Sequence, residues 1–171
     1  FGHTRLSIFD TSPLAHQPLI IEDNNKVIIF NGAIFNFIEL RSELKNRGIK
    51  FVTNSDTEVL IQGISLLGID FINKCNGMWA FAYFDKLDRT IYISRDRFGI
   101  KPLYYYYDEN YFLLSSEIKP LIKFLKNKVG PNYCFDHSNF FEYFSSEKTF
   151  YKGIYRLEAG TNIIFKNDKF I

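Results

Sequence analysis

Cysteine, methionine and tryptophan are scarce in this 171-residue chain, which has two Cys, one Met and one Trp. Two thiols, Cys75 and Cys134, are too few for a disulfide framework. No Cys-x-x-Cys pair or His/Cys cluster suggests a metal centre. His3, His16 and His137 are scattered and read as structural or surface residues. No apolar run approaches the roughly 18 residues of a membrane-spanning helix, and Phe1-Gly2-His3-Thr4-Arg5 does not have the form of a signal peptide. An excess of one charge is missing too. The net charge is +2 and the Lys and Arg residues form no dense run, so there is no electrostatic footprint for nucleic acid. Repeats and low-complexity linkers are also absent.

What the chain does have is aromatic side chains: 18% of residues, with 19 Phe and 11 Tyr. Aromatics fit pleated surfaces and favour a sheet-rich core. The 46% hydrophobic and 23% charged composition is that of a globular chain, and the length suits one domain.

The coarse pattern is legible. Leu6 to Phe9 reads as a short strand, Asp10-Thr11-Ser12-Pro13 as a turn, and Ala15 to Leu19 as extended loop. A strand is expected from Lys26 to Asn31. Phe37, Leu40 and Leu44 recur at helical spacing within 36–46, and Gly48 is a natural stop. Lys50 to Thr53 reads as extended. Ser55-Asp56-Thr57-Glu58 has the form of a capping box opening a helix that continues to Gly68. A short helix follows over 70–74. The stretch from Gly77 to Asp85 is apolar on both faces of a strand, with large Trp79, Phe81 and Tyr83 alternating with small Ala80 and Ala82. Such a strand must be covered on both sides, which requires a layered fold. Strands are expected over 90–94, 103–107, 111–115 and 161–165, and helices over 116–125 and 135–144. Short connections between successive strands make the class α+β with a largely antiparallel sheet.

The segment Val27-Ile28-Ile29-Phe30-Asn31-Gly32-Ala33 carries the chemistry. Read alone, Asn-Gly is first of all the commonest tight hairpin turn. Yet a strand ending there presents a side-chain amide and an unobstructed backbone N–H together, two donors able to hold a developing oxyanion.

Several further stretches stand in a telling order: His3-Thr4-Arg5-Leu6-Ser7-Ile8, then Phe30-Asn31-Gly32-Ala33-Ile34-Phe35-Asn36, then Asn54-Ser55-Asp56-Thr57-Glu58-Val59. Asn76-Gly77-Met78-Trp79-Ala80-Phe81-Ala82, Arg95-Asp96-Arg97-Phe98-Gly99-Ile100-Lys101-Pro102-Leu103-Tyr104 and Ser116-Glu117-Ile118-Lys119-Pro120-Leu121 complete the series. Together they resemble the glutaminase domain of glutamine-hydrolysing asparagine synthetases, a class II glutamine amidotransferase. Phe150-Tyr151-Lys152-Gly153-Ile154 and Ala159-Gly160-Thr161 resemble the end of that domain, so residues 150–171 are expected to lead towards a synthetase domain, and 1–171 to be one glutaminase domain incomplete at its start.

The resemblance implies an N-terminal-nucleophile hydrolase: an α+β, four-layer αββα sandwich of antiparallel sheets. It implies hydrolysis of glutamine to glutamate and ammonia, the ammonia passing to an ATP-dependent amidation. Arg5 matches the position that binds the glutamine carboxylate, where a guanidinium fork does what Lys cannot. Leu6, Ser7, Ile8 and Phe9 would shape the pocket wall. Asp56 matches the residue that holds the α-ammonium, a role compatible with its place in a first helical turn. Asn31 and Gly32 match the oxyanion hole. Partners so implied are glutamine and a C-terminal synthetase domain of the same polypeptide, with neither nucleic acid nor membrane. A homodimer is left open. No cofactor is expected in this domain, ATP and Mg belonging to the synthetase part, and the expected location is cytoplasmic.

The chain departs from the family pattern twice. Nothing before Arg5 matches the family's nucleophile, a cysteine at the mature N-terminus whose α-amine serves as base. Cys75 and Cys134 cannot substitute, having no free α-amine. A few dozen upstream residues are expected beyond Phe1, and the chain alone is expected to be inactive. Second, Ala33 stands where the family usually has Glu, leaving Asp56 to hold the ammonium, and Phe35 replaces a usual Tyr. The competing reading is a catalytically silent glutaminase-like domain kept for structure or regulation; the residue after the initiator Met of the complete gene separates the two. A more distant reading makes Tyr104 to Tyr107 a platform for single-stranded nucleic acid.

Overall fold

The computed structural model describes residues 1–4, 9–21, 25–131, 147–167 and 169–170. The chain divides into two compact units, one formed by Phe1–Ser94 with Asn162–Ile171 and the other by Arg95–Thr161.

The first unit is built on a six-stranded sheet in the order β1-β2-β3-β4-β8-β9. These strands are Leu19–Ile21, Lys26–Ile34, Gly77–Asp85, Thr90–Arg95, Asn162–Lys166 and Lys169–Phe170 respectively. The β1/β2, β2/β3, β4/β8 and β8/β9 ladders are antiparallel. One face is covered by helices α1 (Phe37–Asn46) and α2 (Asp56–Leu67) and by a 3₁₀ helix over Ile69–Lys74. Ile28, Phe30 and Ile34 of β2 and Trp79, Phe81 and Tyr83 of β3 pack there with Leu40 and Leu44 of α1 and Val59, Leu60, Ile61 and Ile64 of α2. Ala33, Ala80, Ala82 and Ile93 alternate with those residues and are buried as well. β3 is therefore enclosed on both faces, as its lack of a polar side requires.

Local chemistry explains the helix ends. The left-handed Gly48, at φ +92°, follows α1. Ser55 Oγ accepts the Glu58 N–H at 3.1 Å and starts α2. Trp79 Nε1, the single indole donor, is satisfied by Ser94 Oγ at 2.8 Å. At the far end of the β2/β3 ladder, Lys26 pairs with Asp85. Partial burial works against the Asp85 anion, but Lys26 and the backbone N–H groups of Asp88 and Leu87 outweigh it and hold this carboxyl below its usual range.

The second unit has a three-stranded antiparallel sheet, β6-β5-β7, formed by Phe112–Ser115, Tyr104–Tyr107 and Ile154–Arg156. Helix α3 (Ile118–Leu125) covers it, and Tyr106, Leu121, Leu125 and Ile154 form its core. The four tyrosines of β5 alternate. Tyr104 and Tyr106 pack into this core, while Tyr105 stacks on Tyr155 at 5.4 Å, so no run of four rings faces one side as a platform would require.

The α+β class and the antiparallel sheets agree with the sequence. Strands β1, β7 and β9, of three, three and two residues, are too short to show a period in the sequence. The piece at Lys50 to Thr53 forms no strand. The expected helix over 135–144 lies outside the described residues, as does the expected strand at Leu6 to Phe9 apart from Phe9. Among the described residues no helix is long and apolar enough to cross a membrane.

Candidate functional site

Strand β2 does not stop at Asn-Gly. Pairing with β3 is continuous from Lys26↔Asp85 to Ile34↔Gly77, with Asn31 opposite Ala80 and Gly32 opposite Trp79. The hairpin reading is excluded, and the expected strand end at Asn31 is corrected by three residues. Close backbone approach explains why a turn signal sits inside a strand. A Cβ on Gly32 would stand 2.2 Å from the Met78 carbonyl oxygen, and one on Gly77 would stand 2.2 Å from the Ala33 carbonyl oxygen. A glycine on each strand, Gly32 opposite Trp79 and Gly77 opposite Ile34, lets the strands come together where side chains would force them apart.

Residue parity places the groups. Even positions of β2 face the helices, so Asn31 and Ala33 share the opposite face with Ala80 and Met78 of β3. Asn31 and Gly32 are half-buried and Ala33 is 3% exposed.

The other edge of β2 is where Asp56 of α2 meets the strand. β1 pairs only as far as Leu19↔Ile28. Beyond it the Gln17 side chain takes over: its Oε1 accepts the Phe30 N–H at 2.6 Å and its Nε2 donates to the Phe30 carbonyl at 3.0 Å. The same Nε2 reaches Thr57 Oγ1 of α2 at 3.4 Å. Four residues along, the Ile34 N–H donates to Asp56 Oδ2 at 3.0 Å. Backbone N–H groups alternate between edges, so the Gly32 N–H is presented on this edge between those two anchored positions.

Asp56 is itself firmly held. It is buried, and its Oδ1 accepts the Thr57 N–H at 2.9 Å. The capping box differs in one detail from the expected form. Instead of reaching the Ser55 N–H, the Glu58 carboxylate accepts from Val52 N at 2.8 Å and Thr53 N at 2.6 Å. The Ser55 N–H goes to Thr53 Oγ1 at 3.2 Å. Arg41 of α1 donates to the carbonyls of Thr53 at 2.7 Å and Ser55 at 3.1 Å, with its guanidinium 4.5 Å from the Phe51 ring centroid. Asp10 adds a longer link, accepting Ser12 N at 2.8 Å and Asn54 N at 2.6 Å. Gln17, Arg41, Asp10 and Glu58 thus fix the start of α2 and the β2 edge. Only Glu58 carried a signal in the sequence, as the fourth residue of the box.

The Ile34–Asp56 bond ties Asp56 to the strand that carries Asn31 and Gly32. Phe9 is 40% exposed, its ring 4.9 Å from that of Phe37. Arg5, Leu6, Ser7 and Ile8 lie outside the described residues. Among the described residues no group of three or more His, Cys, Asp or Glu could hold a metal ion.

The stretch Arg95 to Tyr104 is a self-bonded loop of the second unit. Arg95 donates to the carbonyls of Lys101 at 2.8 Å, Gly99 at 2.7 Å and Leu157. Asp96 accepts the N–H groups of Phe98 at 3.1 Å, Ile100 at 3.0 Å and Lys101 at 3.0 Å. Both charged groups are buried and consumed in holding the loop.

Comparison with known proteins shows the family. The family model described as a glutamine amidotransferase domain matches residues 1–171. A provisionally named asparagine synthetase [glutamine-hydrolyzing] 2 of Methanocaldococcus jannaschii is 36% identical, over 98% of this chain and 35% of the relative. Asparagine synthetase [glutamine-hydrolyzing] 1 of Bacillus subtilis is 46% identical, over 71% of this chain and 19% of the relative. The chain thus spans about a third or less of these relatives' length. Among solved structures, glutamine phosphoribosylpyrophosphate amidotransferase of B. subtilis superposes with a TM-score of 0.68 at 21% identity, over 99% of this chain and 33% of that one. That likeness shows the fold.

Proposed function

Because the chain belongs to the glutamine amidotransferase domain family, we propose that it forms the glutaminase half of an asparagine synthetase-like enzyme, releasing ammonia from glutamine for an ATP-dependent amidation. The observation that carries this reading is the Asp56–Ile34 bond, which ties the carboxylate suited to an ammonium to the strand bearing Asn31 and Gly32.

In this reading glutamine is selected at both ends. Arg5 binds the α-carboxylate through two charge-assisted hydrogen bonds. Asp56 binds the α-ammonium, while Leu6, Ser7, Ile8, Phe9 and Ala33 bound the pocket. A cysteine thiolate outside this chain attacks the side-chain amide carbon. The oxygen takes up negative charge and is held by the Asn31 amide and the Gly32 N–H. Collapse expels ammonia, the nucleophile's α-amine passing to it the proton taken from the thiol, and water hydrolyses the thioester to glutamate. In this reading the residues named here contribute binding and oxyanion stabilisation. The synthetase part, with its ATP and Mg, would consume the ammonia; aspartate is the acceptor that the relatives' names suggest.

The test is glutamate release by the full-length protein. Arg5→Ala and Asp56→Ala should abolish it mainly by raising KM for glutamine. Wild-type kcat/KM in both variants would refute the pocket assignment.

A further inference from the structure

Gln17 has no part in the chemistry just described, yet it sits at the junction of the two elements that matter. Pro18 follows it and has no N–H to offer a ladder. β1 pairing ends one residue later in the chain, at Leu19. At that point the Gln17 primary amide, a donor and an acceptor on one planar group, replaces a peptide unit. It bonds both the N–H and the C=O of Phe30 and, through the same Nε2, reaches Thr57 of α2. The Phe30 carbonyl belongs to the peptide plane that leads into Asn31, and the Phe30 N–H is the edge neighbour of the Gly32 N–H.

We propose that Gln17 is a positioning residue for the oxyanion hole: its side-chain amide fixes the Phe30 peptide and thereby aims the Asn31 amide and the Gly32 N–H. The proposal rests on the reading of those two groups as oxyanion donors. The alternative of an ordinary loop anchor makes a different prediction. An anchor lost from a loop loosens binding and stability, whereas a mis-aimed oxyanion hole slows the chemical step and leaves ground-state binding nearly intact. Thr57 adjoins Asp56, but Asp56 keeps its own bonds to Ile34 and Thr57 without Gln17, so the ammonium site should be affected less.

The experiment uses the full-length protein with glutamine, following glutamate release in wild type, Asn31→Ala, Gln17→Met and Gln17→Glu. Gln17→Met keeps the length and removes both hydrogen bonds. It should lower kcat at least tenfold with KM within threefold of wild type. Gln17→Glu keeps an acceptor for the Phe30 N–H but loses the donor to the Phe30 carbonyl while ionised. Protonated, it regains that donor and mimics the amide. Its kcat relative to wild type at the same pH should therefore rise as the pH is lowered from 8 to 5.5, which holds even if Gln17→Met does not fold. A loss confined to KM, kcat within twofold of wild type in both Gln17 variants, or a pH-independent Gln17→Glu ratio overturns the proposal. Should Asn31→Ala itself keep wild-type kcat, the oxyanion reading fails and Gln17 falls with it. Should Asn31→Ala lose kcat while the Gln17 variants do not, only the role of Gln17 is refuted.

Discussion

Asp56 Oδ2 accepts the Ile34 N–H at 3.0 Å, so a residue of the first turn of α2 caps an open edge of β2. This single bond couples helix to strand and gives Asp56 two separable roles, acceptor and anion. Asp56→Asn retains a side-chain oxygen for Ile34 and Thr57 but loses the charge. It should keep a near-wild-type urea midpoint while weakening glutamine binding in the full-length protein. Asp56→Ala should lose both, with a stability cost of about 1–3 kcal/mol for the backbone donors left unmet. If the two variants are equally unstable, the charge, not the acceptor geometry, braces the edge.

Gly32 is required by space before it is required by chemistry. Its missing Cβ is what permits the Met78 carbonyl and the Trp79 Cα, 2.2 and 2.9 Å from where a Cβ would lie. Gly32→Ala should therefore destabilise the fold by about 1–3 kcal/mol, the range for forced overpacking, as read from chemical denaturation. An alanine variant of wild-type stability would show that the β2/β3 spacing is looser than described.

The Lys26–Asp85 pair gives the fold a pH dependence of known sign. The Asp85 carboxyl titrates lower folded than unfolded, so its contribution is fully present above the unfolded value and is lost as pH falls through the folded one. Lys26→Met should cost stability by about 1–3 kcal/mol near neutral pH, and the gap from wild type should close as the solution is acidified. Denaturation midpoints at a series of acid pH values would check this; a gap that widens on acidification contradicts it.

Arg95 holds three carbonyls with one planar fork. Lysine has the charge but not the geometry. Arg95→Lys should destabilise the second unit by about 2–3 kcal/mol, since buried carbonyls lose charged donors, and differential scanning calorimetry of the variant would measure it. An unchanged melting temperature would mean that the loop holds itself through Asp96 alone.

Much of this was legible in the residues because the elements that matter are long or capped. β3 is legible over its full length, since a nine-residue stretch with no polar side-chain group before its closing Asp85 apart from an indole N–H and a tyrosine hydroxyl, and with no helical period, leaves little choice. α1 followed from Phe37, Leu40 and Leu44, and α2 from the Ser55 box. The Asn-Gly step misleads because a local turn preference is overridden by pairing with β3, and nothing near Gly32 announces Trp79 as its counterpart 47 positions away. Gln17 gave no signal at all: a loop glutamine looks alike whether it faces solvent or completes a ladder. Arg95 and Asp96 stood out as part of a resemblance, but their structural work appears only in the carbonyls and N–H groups that they bind.

The most direct test of the account is the Asn31→Ala comparison in the full-length protein, reading glutamate release over a range of glutamine concentrations. Loss of one oxyanion donor should lower kcat by about 10²–10³-fold with little change in KM. A variant that turns glutamine over as fast as wild type would contradict the claim that this strand holds the reacting oxygen.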